Sequence, residues 1–132
     1  MIFKKALTFA SLTLLFSAQS PDSERLKDIF ADSYHIGVAV NAWQVNSSDE
    51  KVSSLIANQF NSLSPENGLK WERVHPELDR YDFKFGDEYV ALGEKIGAFT
   101  IGHCLVWHQQ VPRWVFQDEN NEPLDKDALI AR

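Results

Sequence analysis

The sequence predicts an α/β fold in which short parallel strands alternate with helices packed outside the sheet. Three observations predict it. Ile36, Val38 and Val40 alternate with Gly37, Ala39 and Asn41, the two-residue period of a strand with one branched and one small face. Val52, Leu55, Ile56 and Phe60, and later Tyr89, Leu92 and Ile96, recur at helical spacing. Further extended runs over 61–64 and from Phe99 onward follow those two segments, so the order is strand, helix, strand, helix, strand. Repeated βα units of this kind place parallel strands in one sheet.

The chain opens differently. Lys4 and Lys5 precede an apolar run from Ala6 to Phe16 that is too short to span a bilayer and is followed by small residues. Residues 1–20 are therefore expected to be a secretory signal peptide cleaved near Ala18 to Ser20. A secreted or periplasmic location follows, with no membrane contact beyond export. Ser23 begins a short helix with Leu26, Ile29 and Phe30 on one face, expected to pack under the first strand. Ser47 and Glu50 form a capping box for the helix carrying Val52.

Between Trp71 and Phe85 the sequence reads as a loop, with Tyr81, Phe83 and Phe85 alternating with Asp82 and Lys84 in a locally extended piece. Gly86 and Asp87 open the next helix and Gly97 stops it. The acidic stretch 118–122 reads as a solvated loop. Leu124 and Leu129 then staple a helix capped by Asp125, which reaches Arg132 seven residues later. That is well short of the ~12 residues a marginal helix needs, so the chain is expected to be the front part of a longer protein.

Composition narrows the function. The 132 residues, 44% of them hydrophobic, suffice for one compact domain and not for two. The formal charge is −6, and without residues 1–20 there are 11 bases against 19 acids, or −8. An acidic surface repels phosphate backbones, which argues against nucleic acid and leaves a neutral polysaccharide without electrostatic penalty. Cys104 is the only cysteine, so it cannot form an intrachain disulfide and reads as a small buried hydrophobe. His103 and His108 have no third ligand at a recognised spacing, so neither a metal nor another cofactor is expected.

Two stretches carry the chemistry. From Ile101 to Pro112 an apolar run ends in imidazole, indole and amide groups, and reads as a strand entering a functional loop. In an extended chain His103, Leu105 and Trp107 share one face. A lone histidine in such a run is ordinarily a satisfied core residue. From Phe60 to Trp71 the design repeats: Glu66, Asn67 and Lys70 supply acceptor, amide and ammonium within five residues. A solvated turn after Pro65 is the plainer reading. The inventory nevertheless suits a polyol, whose hydroxyls both donate and accept, and Trp107 offers a flat face for a pyranose ring.

Taken together, Pro65-Glu66-Asn67-Gly68-Leu69-Lys70-Trp71 and Gly102-His103-Cys104-Leu105-Val106-Trp107-His108 resemble glycoside hydrolase family 10. These retaining endo-xylanases carry Pro-Glu-Asn-x-x-Lys-Trp and then Gly-His-x-Leu-x-Trp-His early in their barrel. The resemblance runs over 36–132. It implies the N-terminal portion of a (β/α)8 barrel, truncated after about three strands, with 21–132 an incomplete catalytic domain; a whole barrel needs at least ~200 residues.

The resemblance further implies xylan or xylo-oligosaccharide as the partner. Glu66, Asn67 and Lys70 would bind xylose units on the non-reducing side of the scissile bond. His103 and Trp107 would line the subsite where the bond breaks, and Gln110 would reach the next sugar. Retaining hydrolysis needs two carboxyl groups about 5 to 5.5 Å apart. In the family these are glutamates near the ends of strands 4 and 7, expected beyond Arg132, so the 132 residues alone are expected to bind sugar without hydrolysing it. His108 keeps a supporting structural role and Glu72 only a salt-bridge reading.

There are departures. Gly68 and Leu69 stand where the family usually has Glu and Met, which is expected to loosen the turn after Asn67, and Cys104 replaces a common Thr. Two other readings remain: a non-catalytic polysaccharide-binding module, and a barrel glycosidase acting on β-glucan, which should not share both motifs.

Overall fold

The computed structural model describes residues 24–132; the expected signal peptide lies outside the described residues. Three strands form one parallel sheet in the order β1 (Gly37–Val40), β2 (Ser62–Pro65), β3 (Phe99–Thr100). Their register sets Val38 beside Leu63 and Leu63 beside Thr100, so one residue from each strand points to the same side. Two long helices cover that side, α3 (Glu50–Gln59) between β1 and β2, and α5 (Lys84–Ile96) between β2 and β3. The core is Val40, Ile56, Leu63 and Tyr89, with Val38, Val52, Phe85, Leu92 and Ile96 packed against it. On the opposite side Gly37 and Ala39 are exposed, as is Phe99.

Small residues let the layers approach. A Cβ at Gly93 would lie 2.2 Å from Thr100 Cγ2, so α5 rests on β3 at a distance only glycine permits. Gly97 ends the helix in the left-handed conformation (φ 66°), as its position predicts.

Tyr89 ties the layers together. Its ring is 1% exposed; its hydroxyl donates to the Leu63 carbonyl at 2.5 Å and accepts from the Ile101 N–H at 3.1 Å. The phenol thus locks the outgoing ends of β2 and β3, where the polar motifs begin. Tyr89→Phe in the full-length protein is expected to cost about 1 kcal/mol, the net worth of one such bond, read as a lower urea midpoint. Burial, partly offset by the Ile101 hydrogen bond, raises the Tyr89 pKa. The folded state therefore holds this proton more tightly than the unfolded one. Its contribution is complete below the ordinary tyrosine range near pH ~10 and is lost as pH rises through the elevated value. An alkaline decline identical in wild type and Tyr89→Phe would contradict this assignment.

Several local expectations change. The N-terminal helix α1 (Leu26–Ile29) does not lie under β1; it is held to the end of α3, where Leu26 N–H donates to Gln59 Oε1 (3.0 Å) and Lys27 Nζ to the Ala57 carbonyl (2.6 Å). The capping box lies earlier than expected. Asn41 caps a four-residue helix α2 (Ala42–Val45) reciprocally with Gln44, while α3 takes Asp49 as its cap. Within α3, Leu55 is 57% exposed and the buried stripe narrows to Val52 and Ile56.

The loop expected after Trp71 contains a helical turn, α4 (Trp71–Val74), and α5 starts at Lys84, before Gly86. The acidic loop is ordered by one side chain: Asp118 Oδ1 accepts from the N–H groups of Asn120 (2.8 Å) and Glu122 (2.9 Å). The bond from Glu122 N–H is the main reason its carboxyl pKa falls below the usual range. A 3-10 turn (Arg113–Val115) precedes it, and Asp125 caps α6 (Lys126–Ile130) as expected.

Candidate functional site

The polar motifs begin where β2 and β3 stop. After Pro65 the Glu66 N–H reaches the Val40 carbonyl (2.9 Å), continuing the β1–β2 ladder, and the chain then turns as Lys70 N–H bonds the Asn67 carbonyl (3.1 Å). That turn folds the Lys70 side chain back over the sheet end. Lys70 is 7% exposed; its ammonium donates to Asn67 Oδ1 at 2.7 Å and stands 4.3 Å from the centre of the Trp107 ring.

Gln110 completes the arrangement. Its Nε2 donates to the same Asn67 Oδ1 at 3.1 Å, and its backbone carbonyl accepts from Glu72 N–H at 3.0 Å. With its carbonyl oxygen occupied twice, Asn67 is oriented so that its amide hydrogens remain for another partner. Burying an ammonium is costly, and among the described residues no carboxylate pairs with Lys70. A neutral carbonyl and an aromatic face offset the cost, the latter by about 0.5 to 2 kcal/mol. Two of the three ammonium hydrogens are then available to a ligand.

Four expected site residues, Asn67, Lys70, Trp107 and Gln110, thus meet directly. Glu66 joins from the side, accepting from Asn41 Nδ2 at 3.3 Å. Asn41 was not legible as part of the cluster; its signal is the Asn41–Gln44 capping pair, which orients the Asn41 side chain at the end of β1. His103 is not tied in: it is exposed, and among the described residues its side chain makes no hydrogen bond. The reason is local, because β3 ends at Thr100 and 101–110 are irregular, so the alternation that placed His103 and Trp107 on one face does not operate. His108 packs edge-on against Trp107 (5.3 Å between centroids), and Cys104 is half-buried rather than buried.

Aromatic packing supports the turn from behind. Trp71 meets Trp114 edge-to-face (6.0 Å), Tyr81 stacks on His75 (3.9 Å), and the Trp114 indole donates to the His75 carbonyl (3.2 Å). The sequence offered these rings as a loop.

A family profile for glycosyl hydrolase family 10 matches residues 25–130. The chain belongs to that family. An endo-1,4-beta-xylanase A of Xylanibacter ruminicola is 35% identical over 121 residues, covering 92% of this chain and 33% of that protein. A beta-1,4-xylanase of Dictyoglomus thermophilum is 38% identical over 126 residues, covering 96% and 33% respectively. Among solved structures, a mutant enzyme in complex with xylotriose is 34% identical, with a TM-score of 0.73 over 83% of this chain and 32% of its own. The chain spans about a third of the length of these family 10 relatives. The three-stranded parallel sheet with helices on one side is the N-terminal portion of the family's (β/α)8 barrel.

Proposed function

We propose that these residues form the sugar-gripping wall of a retaining endo-1,4-beta-xylanase acting on internal bonds of xylan. Glu66, Asn67 and Lys70 hold xylose units on the non-reducing side of the scissile bond, Gln110 contacts the next sugar, and Trp107 with His103 lines the subsite of cleavage. One observation carries the reading: the two polar segments meet, with Lys70 and Gln110 both donating to Asn67 Oδ1 and the Lys70 ammonium lying over Trp107. Donors, acceptors and an apolar ring face within one cluster suit a polyol. The xylotriose bound by a family 10 neighbour supports xylo-oligosaccharide as the ligand.

The wall positions and the carboxyl pair reacts. Contacts that tighten as the sugar ring flattens lower the barrier, while the two glutamates of retaining chemistry come from outside these 132 residues. Residues 1–20 direct export.

The test is to express the full-length enzyme and assay reducing ends released from xylan, mixed-linkage β-glucan and cellulose. Xylan should be preferred, with activity in the medium or periplasm and a mature N-terminus close to residue 20. Preference for β-glucan would favour the alternative glycosidase, and absence of any hydrolysis would leave a binding role. An intact residue 1 on the exported protein would refute the signal-peptide reading.

A further inference from the structure

Among the asparagines of this chain only Asn67 is followed by glycine, Gly68. A glycine nitrogen has no Cβ beside it to shield it, so it can approach the preceding side chain closely. The bond from Lys70 N–H to the Asn67 carbonyl (3.1 Å) closes a turn over 67–70, in which the Gly68 N–H stands at the second position and is not used by the turn itself. It makes no hydrogen bond among the described residues, and Asn67 is exposed. Elsewhere the N–H after an asparagine is engaged. Ser62 after Asn61 bonds the Ile36 carbonyl (3.2 Å), Ser47 after Asn46 the Gln44 carbonyl (3.4 Å), and Asn121 after Asn120 the Asp118 carbonyl (3.1 Å).

The Asn67 amide is arranged for attack at Cγ. Its Oδ1 accepts from Lys70 Nζ at 2.7 Å and from Gln110 Nε2 at 3.1 Å, while its Nδ2 donates to none of the described residues. Two donors at these distances, one of them an ammonium, draw electron density from Cγ and stand where an oxyanion formed there would be held. The nitrogen that would leave is free and open to water.

Packing demands the glycine. A Cβ at Gly68 would lie 2.1 Å from Phe85 Cδ1, and that ring stacks on Tyr89 beneath it (6.0 Å). The turn is therefore filled, not loosened, by this departure, and a larger residue enters only by moving Phe85.

We propose that Asn67 is a site of spontaneous deamidation, attacked by the backbone nitrogen of Gly68. A base in the solvent takes the Gly68 amide proton, the nitrogen bonds to Asn67 Cγ, and the carbonyl electron pair moves to Oδ1, facing Lys70 and Gln110. Collapse of that oxyanion breaks the Cγ–Nδ2 bond, and the nitrogen takes up a proton and leaves as ammonia. One water molecule then opens the succinimide, at Cγ to give aspartate or at the backbone carbonyl to give isoaspartate. Either product replaces the two amide hydrogens by an acceptor, and isoaspartate also lengthens the backbone of the turn that positions Lys70. The covalent step stands apart from the sugar-gripping reading; its effect on hydrolysis rests on that reading.

The full-length enzyme is incubated at mildly acidic and mildly alkaline pH. Peptide mapping by mass spectrometry, enzymatic methylation of isoaspartate and kcat/KM on xylohexaose are followed together. Conversion at residue 67 should be faster in the alkaline sample, with ammonia released in step, isoaspartate in excess of aspartate, and Asn46 and Asn61 unchanged. kcat/KM should fall in proportion, by about tenfold or more at full conversion, the scale of one lost hydrogen bond to a ligand or a little more. Asn67→Asp should reproduce much of that fall without incubation, and Gly68→Ala should keep its amide. Should Gly68→Ala misfold because Phe85 is displaced, the wild type decides alone. An amide still intact at 67 in the folded wild type, after a synthetic peptide of the turn has converted, overturns the site. Aspartate without isoaspartate means direct hydrolysis by water and overturns the Gly68 route. Converted enzyme with undiminished kcat/KM overturns the functional consequence. A wild type inert on xylan before incubation sinks the sugar-gripping reading instead, and the mass and isoaspartate readouts still decide the covalent step.

Discussion

Lys70→Ala in the full-length enzyme is expected to lower kcat/KM on xylo-oligosaccharides by about 10- to 1,000-fold, and Trp107→Ala by a similar factor. The magnitude follows from what the ammonium touches. It is nearly buried, donates to Asn67 at 2.7 Å and lies over the Trp107 ring. Charge-assisted hydrogen bonds are worth about 1.5 to 3 kcal/mol, more than neutral ones. Removing the ammonium also frees Asn67 to rotate, since Gln110 alone would then hold its carbonyl. If the contact strengthens only as the sugar ring flattens, kcat should fall as much as kcat/KM; a rise in KM alone would mean uniform binding. Circular dichroism of both variants guards against simple misfolding. Wild-type kcat/KM in the folded variants would refute both roles.

The second large effect concerns residues 1–132 produced alone: no cooperative thermal transition and no release of reducing ends from xylan are expected. Among the described residues, only four buried hydrophobic side chains form the central core, while sixteen large apolar side chains stand at least 40% exposed. Burying one such side chain fully is worth about 1.5 to 3 kcal/mol, and native margins are only about 5 to 15 kcal/mol. With so few side chains buried against so many left in water, the net margin of this unit is expected to vanish. β3 adds to the problem, because its outer edge has no strand partner among the described residues and Phe99 lies 60% exposed on the uncovered side. The catalytic half of the prediction is independent of folding, since it follows from the proposed function, in which the carboxyl pair is supplied from outside these 132 residues. A sigmoidal melt by circular dichroism would contradict the folding half, and hydrolysis above a mock-purified control the catalytic half.

Much of this was written locally. Alternation of Val38 and Val40, the helical spacing of Tyr89, Leu92 and Ile96, and Gly97 at a helix end are near-neighbour patterns, and each appears where its period placed it. The two motifs likewise located the cluster, because strand ends in a βα sheet all open on one side. Short elements were less legible. The helices α2 and α4 have four residues each, about one turn, which is too little for a periodic signal.

Residue types and their spacing along the chain carry the order of the longer elements, the family and the two polar segments. Which side chains meet is settled by packing in three dimensions. Asn41 joins Glu66 because parallel pairing sets the end of β1 beside the end of β2. His103 makes no side-chain hydrogen bond to the cluster among the described residues, because β3 stops after two residues and face alternation stops with it. Gly68 reads as slack in one dimension and is filled in three, by a Phe85 ring seventeen residues away. Close packing joins residues by distance in space, and no local period carries that information.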